Sequence, residues 1–346
     1  MAQNSNVADE VKKIIQFDTD INCKKVPGFI IGIIDNDSTY FLSYGSKDPI
    51  TKEKITTHDA FELGSISKTF TAAIITILSH RGQLDPKQKV NTYLPKEYEN
   101  PRLSDITIID LLDHTSGFPK MPKDLGKKAK EFNNPYQYYT KHDVLKYYKS
   151  FIPKERKFEY SHTNYAILEI IIEMVTKKSF DEVLVDEINT VLNLNTTTCD
   201  GMYESAPNLA KGFDKSGKVC TPWSFSSFIG SEGIRSNLED LLVFVKAQLG
   251  MSETYLDSIF YETNAAKVAT FNDRLSISNG WHTVSMKNGD LVIHTGRTGG
   301  HNCYIGMVKE TKTAVIVLSN SYYGTGDLGT LILRMINQSW KRNADQ

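Results

Sequence analysis

The sequence predicts an antiparallel β-sheet flanked by N- and C-terminal helices, with a large helical segment inserted between its strands. Three observations carry this expectation. β-rich runs lie at both ends of the chain, helical periodicity fills the middle from Ser67 to about Gly250, and an amphipathic stretch stands at each terminus. Near the N-terminus, Val7, Val11, Ile14 and Ile15 make an apolar helical stripe, with Lys12, Lys13 and Gln16 on the other face. Pro27-Gly28 then opens the run 29–34, and Asp35-Asn36-Asp37-Ser38 separates it from 39–45, which reads as a hairpin. The first run is apolar throughout, so both of its faces are expected to be covered. Helical patterns follow at 69–83, 108–112, 165–176 and 238–249. Strand signals return at 278–286, 291–294, 303–308 and 314–319, and 328–340 reads as a last amphipathic helix. Joining the terminal strands into one sheet gives an α/β domain over 1–60 and 275–346. Residues 61–274 form a mainly helical domain, with a ligand cleft between the two.

Composition narrows the function. Of 346 residues, 40 are Lys or Arg and 41 are Asp or Glu, a net charge of −1, and 40% are hydrophobic. Such a balance excludes a disordered or collagen-like chain and argues against a dedicated nucleic-acid binder. The stretch 123–149 interleaves lysine and tyrosine but reads as a solvated face with tyrosines packed inward. The apolar runs 29–34 and 167–174 fall short of the ~18 residues a membrane span requires. Cys23, Cys199, Cys220 and Cys303 are too scattered for a zinc site or a disulfide scaffold. They read as free thiols, with a Cys199–Cys220 pairing left open. The polar start, Met1 to Asn6, shows no signal peptide, so the chain reads either as intracellular or as the mature form of an exported protein.

The chemistry concentrates in Phe61-Glu62-Leu63-Gly64-Ser65-Ile66-Ser67-Lys68-Thr69-Phe70. Ser65-x-x-Lys68 puts an amine one helical turn from a hydroxyl at a helix start. A serine hydroxyl becomes a nucleophile when a neighbouring base takes its proton, and a lysine serves if its pKa is lowered. Ser67, adjacent to the lysine, points off the shared face. On its own the pattern is weak, because both residue types are common. It is joined downstream by Tyr160-Ser161-His162 and by His294-Thr295-Gly296-Arg297-Thr298-Gly299-Gly300. No H-E-x-x-H, Walker loop or G-x-G-x-x-G is present, which removes the metalloprotease, nucleotidase and dinucleotide readings.

With these motifs in this order, the chain resembles the serine β-lactamase-like, penicillin-binding family. The likeness is to class C β-lactamases and D,D-peptidases of that type, with related esterases and D-aminopeptidases. The family's S-x-x-K, Y-x-N and K/H-T-G elements are matched at Ser65/Lys68, Tyr160/His162 and His294–Gly296. Leu111-Leu112-Asp113-His114-Thr115-Ser116-Gly117 resembles its L-L-x-H-T-S-G, and Gly230-Ser231-Glu232-Gly233-Ile234-Arg235-Ser236 its small-residue G-G-L-x-S turn. The resemblance runs from about residue 11 to 341.

It implies a β-lactamase/transpeptidase-like fold and a serine hydrolase that works through an acyl-enzyme on an amide or ester. A β-lactam, a D-Ala-D-Ala-type peptide and a small ester are the rival substrates. The alternative is a non-hydrolytic penicillin- or peptidoglycan-binding or scaffold protein. Ser65 is implied as nucleophile, Lys68 as its activating partner and Tyr160 as second member of a proton relay. His162, His294, Thr295, Gly296 and Arg297 bind substrate, and the backbone N–H groups of Ser65 and Arg297 form the oxyanion hole on an edge strand. His162 replaces the family's usual asparagine. His294, where class C β-lactamases carry lysine, is expected to titrate near 6.5 and to read a substrate carboxylate only in part at neutral pH. No metal or organic cofactor is implied. A small-molecule or peptide substrate is expected, without nucleic acid or a membrane span, in an extracytoplasmic setting, periplasmic or secreted. Oligomeric state stays open. His114 reads as a structural turn residue, His58, His80, His142 and His282 as surface or packing residues. Trp223 either lines the cleft or fills core, and His301 and Asn302 are substrate contacts at most.

Overall fold

The hairpin near the N-terminus forms one edge of the main sheet, and its inner strand joins the two ends of the chain. In a computed structural model describing residues 2–22, 24–129, 134–153, 156–199, 208–262, 268–272, 275–285 and 289–344, β1 (Gly28–Asp35) pairs with β2 (Ser38–Gly45) on one side. On its other side β1 pairs with β10 (Thr313–Ser319), which joins the two ends of the chain. Asn36 turns the hairpin at φ 51°, a left-handed conformation that asparagine tolerates. β3 (Phe61–Glu62) and β4 (Arg235–Ser236) form a small separate pair. The main sheet continues through β5 (Val268–Asn272), β6 (Leu275–Ser278), β7 (Trp281–Val284), β8 (Leu291–Arg297) and β9 (Asn302–Val308). All eight strands are antiparallel, in the order β2-β1-β10-β9-β8-β7-β6-β5.

Where one strand was expected over 278–286, the structure has the hairpin β6–β7. Asn279 (φ 48°) and Gly280 (φ 80°) supply the two positive φ angles of a tight hairpin turn, and Met286 lies outside the described residues, as does Cys23. β5 had no counterpart in the sequence reading.

Both faces of β1 are covered, as its apolar run requires. Phe29, Ile31 and Ile33 meet Val11 of α1 (Ala2–Lys13), Ile14 in the turn that follows it, and Leu328, Ile332 and Ile336 of α7 (Leu328–Ala344). Ile30 and Ile34 face the other way, into a core that runs without a break through α2 (Ser67–His80), α3 (Ile108–Leu112), α4 (His162–Thr176) and α6 (Leu238–Gln248). The short helix α5 (Ile229–Glu232) lies between α2 and α4. Leu238 packs close on the β1 backbone here, and a Cβ on Gly32 would lie 2.7 Å from its Cδ1.

Caps fix where the helices begin. Thr107 and Asp110 form a reciprocal capping box on α3, Ser161 caps α4, and Asn237 caps α6. No disulfide joins Cys199, Cys220 or Cys303, so the Cys199–Cys220 pairing left open from sequence is not formed. Among the described residues, no helix is long and apolar enough to cross a membrane.

Candidate active site

Ser65 stands in a single 3-10 turn, Gly64–Ile66, that leads into α2. Gly64 has φ +53°, and a Cβ there would lie 2.7 Å from the Arg297 nitrogen. A Cβ on Gly296 would collide with the Leu63 carbonyl. These two glycines let β8 press directly on the turn that carries Ser65. One helical turn later, fully buried Lys68 places its Nζ 3.1 Å from Ser65 Oγ. Ser67 is spent on structure, its Oγ accepting from the Ile234 N–H at 3.0 Å.

Tyr160 and His162 are delivered by the start of α4, and 111–117 hold them there. The Ser161 N–H donates to His114 Nδ1 at 3.0 Å, the Glu159 N–H to the His114 carbonyl at 2.9 Å, and Tyr165 Oη to the Leu112 carbonyl at 2.9 Å. Ser116 donates to Asn164 at 2.8 Å. His114 is therefore a structural turn residue, at φ 58°. The Tyr160 ring lies 5.2 Å from Lys68 Nζ, its face toward the ammonium, and its hydroxyl interacts with Ser65. His162 Nδ1 is 3.1 Å from Lys68 Nζ.

The cleft in front of Ser65 has a volume of about 840 Å³. Tyr160, His162, Trp223, His282, His294–Thr298 and Asn302 line it, so Trp223 faces the cleft. β8 is not an edge strand throughout. It pairs with β7 only from Leu291 to Ile293, and beyond that its cleft side is free. Thr298 N–H bonds to the His301 carbonyl at 3.0 Å across the β8–β9 turn. Antiparallel alternation then turns the Arg297 N–H away from β9, toward the cleft. The Ser65 N–H, at the start of its helical turn, lacks an intrahelical partner. The Arg297 side chain is exposed, 4.5 Å from the Tyr322 ring centre.

Two placements, those of His294 and His301, differ from expectation. His294 is buried, and its Nδ1–H donates to the Thr295 carbonyl at 2.8 Å, leaving Nε2 an acceptor with no protein partner. Burial, then His282 and Lys68, hold its pKa well below the ordinary 6.5, so it is neutral across the physiological range. His282, expected at the surface or in packing, is half-buried. It packs on Tyr160 at 5.8 Å between ring centres, and burial and Lys68 bring its pKa down to about 4. His301 is turned from the cleft, bonded to Glu62 and to the Ala210 carbonyl, both at 3.0 Å. His58, His80 and His142 are exposed.

Sequence reasoning missed Glu232. It ends α5, in the turn read only for its small residues, and is 2% exposed. Its Oε1 accepts from Ser65 Oγ at 2.7 Å and from Lys68 Nζ at 2.7 Å, and it touches His162 Nδ1. Burial would raise the Glu232 pKa, but Lys68 and His162 outweigh it and hold the carboxyl well below its ordinary range. Burial lowers the Lys68 pKa, and Glu232 opposes the fall. Burial and the Glu232 charge raise the Tyr160 pKa, which disfavours the phenolate that a lysine neighbour alone would promote. The sequence signal was a charged side chain inside a glycine-rich turn.

An eight-stranded antiparallel sheet with a helical layer against it, and a Ser-x-x-Lys turn at the cleft floor, defines the fold of serine β-lactamases and transpeptidases. A beta-lactamase/D-alanine carboxypeptidase from Pseudomonas syringae shares it with a TM-score of 0.81 at 21% identity, covering 98% of this chain and 99% of that one. A class C β-lactamase from Rhodobacter sphaeroides follows with a TM-score of 0.78 at 19% identity, over 96% and 98%. The beta-lactamase family model matches residues 14–337, and the chain belongs to that family. It is 26% identical over 311 residues to Protein flp of Staphylococcus aureus strain MW2, which is 87% of this chain and 61% of that protein. A beta-lactamase of Providencia stuartii is 24% identical over 233 residues, 65% of this chain and 56% of that one. The chain thus spans about three-fifths, 61%, of the first curated relatives it matches.

Proposed function

We propose that the protein is a serine hydrolase that forms an acyl-enzyme on Ser65 with an ester or amide whose scissile end is uncharged. The observation that carries this reading is the Ser65 hydroxyl, engaged by a buried Lys68 at 3.1 Å at the floor of an open cleft. The substrate carbonyl oxygen would sit between the N–H groups of Ser65 and Arg297, where negative charge develops in the transition state. Tyr160, kept as a neutral phenol, is a hydrogen-bond donor beside Ser65 Oγ and the departing group.

The uncharged scissile end follows from His294. A lysine there would offer a permanent cation, whereas a neutral imidazole with a bare Nε2 accepts a hydrogen bond and attracts no carboxylate. Among the rival substrates this favours a small ester over a penicillin or a peptide with a free C-terminus. Three exposed cations, Lys120, Lys215 and Arg297, also belong to the cleft lining.

A turnover panel of p-nitrophenyl acetate, nitrocefin and a D-Ala-D-Ala peptide tests the reading, with a fluorescent phosphonate as covalent probe. The expected result is phosphonate on Ser65 and fastest turnover of the ester. No adduct on Ser65 defeats the acyl-enzyme. An adduct without turnover of any of the three favours the binding-protein alternative.

A further inference from the structure

Glu232 has no role in the serine–lysine–tyrosine relay implied by the motifs, yet it touches three of the site's side chains. The direction of each hydrogen bond is informative. Lys68 Nζ donates to Ser65 Oγ at 3.1 Å, to the Ser231 carbonyl at 3.0 Å and to Glu232 Oε1 at 2.7 Å. His162 Nδ1, at 3.1 Å, is a fourth neighbour of the same nitrogen, and the ammonium that these acceptors favour has no lone pair with which to receive another proton. The Ser65 hydrogen points instead to Glu232 Oε1 at 2.7 Å. His162 Nδ1 is turned to the same carboxylate and to Lys68, so it too presents no free lone pair to Ser65. Glu232 is the acceptor in direct contact with the nucleophile's proton.

We propose that Glu232, rather than Lys68 or Tyr160, accepts the Ser65 proton during acylation and the water proton during deacylation. This rests on the acyl-serine reading above. As Ser65 Oγ bonds to the carbonyl carbon, its proton moves to Glu232 Oε1, and the carbonyl π pair moves to the oxygen held by the Ser65 and Arg297 N–H groups. When that pair returns, the bond to the leaving group breaks, and the leaving group departs with the proton from Glu232. Water repeats the sequence on the acyl carbon. Its proton goes to Glu232, and Ser65 Oγ leaves and regains a proton from it. Lys68 remains an ammonium throughout, and no other reactant is required.

The proposal makes a statement about pH. Glu232 is faced by Lys68 from α2, His162 from α4, and Tyr160 and Tyr136 as neutral phenols, with His294 on β8 and His282 on β7 beyond them. Lys120 acts on His162 from the cleft lining. The three histidines have lowered pKa values and the two phenols raised ones, and Glu232 ionises below its ordinary 4.5. A rate that depends on the Glu232 carboxylate is therefore level from about pH 5 to pH 8. Replacing the charge changes this. Without Glu232 nothing opposes the effect of burial on Lys68, and its neutral amine becomes the remaining base. Its population rises tenfold per pH unit until the lysine has lost its proton.

The experiment measures kcat/KM for p-nitrophenyl acetate from pH 5 to pH 9, with phosphonate labelling of Ser65 in parallel, for wild type, Glu232→Gln and Glu232→Gly. Glycine restores the small residue of the family's turn, so it reports if the glutamine variant fails to melt cooperatively. Expected are a level wild-type profile and, at pH 6, a loss of about 10²–10³-fold in both variants that shrinks as pH rises. Wild-type rate and profile in Glu232→Gln would make the carboxylate structural and overturn the proposal. A faster variant would make it a brake on the nucleophile and overturn it equally. Absence of any Ser65 adduct in the wild type brings down the acyl-serine reading and this one together. Intact labelling with an unchanged pH profile brings down this one alone.

Discussion

Two fully buried carboxylates flank the nucleophile, and they are used in opposite ways. Glu62, three residues before Ser65, accepts the Trp223 N–H at 2.7 Å, the Thr298 hydroxyl at 2.9 Å and His301 at 3.0 Å, with Arg235 at 3.8 Å. Burial would raise its pKa, but His301 and Arg235 more than compensate and keep it ionised. Its ligands are frame. They hold the β8–β9 turn that follows Arg297, and so the position of the Arg297 N–H. Glu232 is as deeply buried and as firmly ionised, but its ligands are Ser65, Lys68 and His162. A buried carboxylate is informative through the groups it binds, and burial or a shifted pKa alone does not tell the two apart.

Mutations separate the two regions. The largest effect belongs to Ser65→Ala, expected to abolish both turnover and phosphonate labelling, whereas Ser67→Ala keeps the label, as read by mass spectrometry of the adduct. Next comes Glu62→Ala, which leaves His301 and the Thr298 hydroxyl without their buried partner. A loss of about 3–5 kcal/mol in unfolding free energy is expected from denaturant titration. If Glu62→Ala instead melts normally and only slows turnover, the assignment of Glu62 to the frame is wrong.

Tyr160→Phe removes a donor next to Ser65 and should lower kcat by about 10²-fold with little change in melting temperature. A near wild-type kcat would leave the tyrosine as packing alone. The smallest effect concerns His294. Because its pKa and that of His282 are lowered, KM for an anionic β-lactam should not vary between pH 5 and pH 8, and KM for a neutral ester should be equally level. His294→Lys should improve binding of the β-lactam by about 1 kcal/mol and leave the ester unchanged. A wild-type KM for the β-lactam that worsens as pH rises through neutrality would show a charged His294 after all.

Local chemistry made much of this structure legible in sequence. The hairpin over Gly28–Gly45 follows from an apolar run and a polar turn, and the nucleophile turn from Ser65-x-x-Lys68 before a helical stripe. The β6–β7 hairpin was hidden because Asn279-Gly280 sits inside what reads as one β-rich run. Glu232 was hidden for a different reason. It lies 164 residues from Lys68 and 167 from Ser65, and no periodicity joins positions so far apart. The buried state of His294 was equally out of reach, since only its neighbours, Trp281, His282 and Tyr160 among them, exclude water from it.

The unbroken core has a consequence for how this molecule comes apart. Ile30, Ile305 and Ile316 of the sheet share one apolar interior with Phe70, Ile74 and Phe244 of the helices. The two cleft walls share this core, so unfolding either strips apolar cover from the other, while the sheet keeps a second core on its far face against the terminal helices. Calorimetry should therefore record one transition, and amides of α2 and β9 should exchange with solvent only through the same global opening. Expressed alone, 61–274 would expose the apolar side that the sheet now covers and would be expected to aggregate rather than fold.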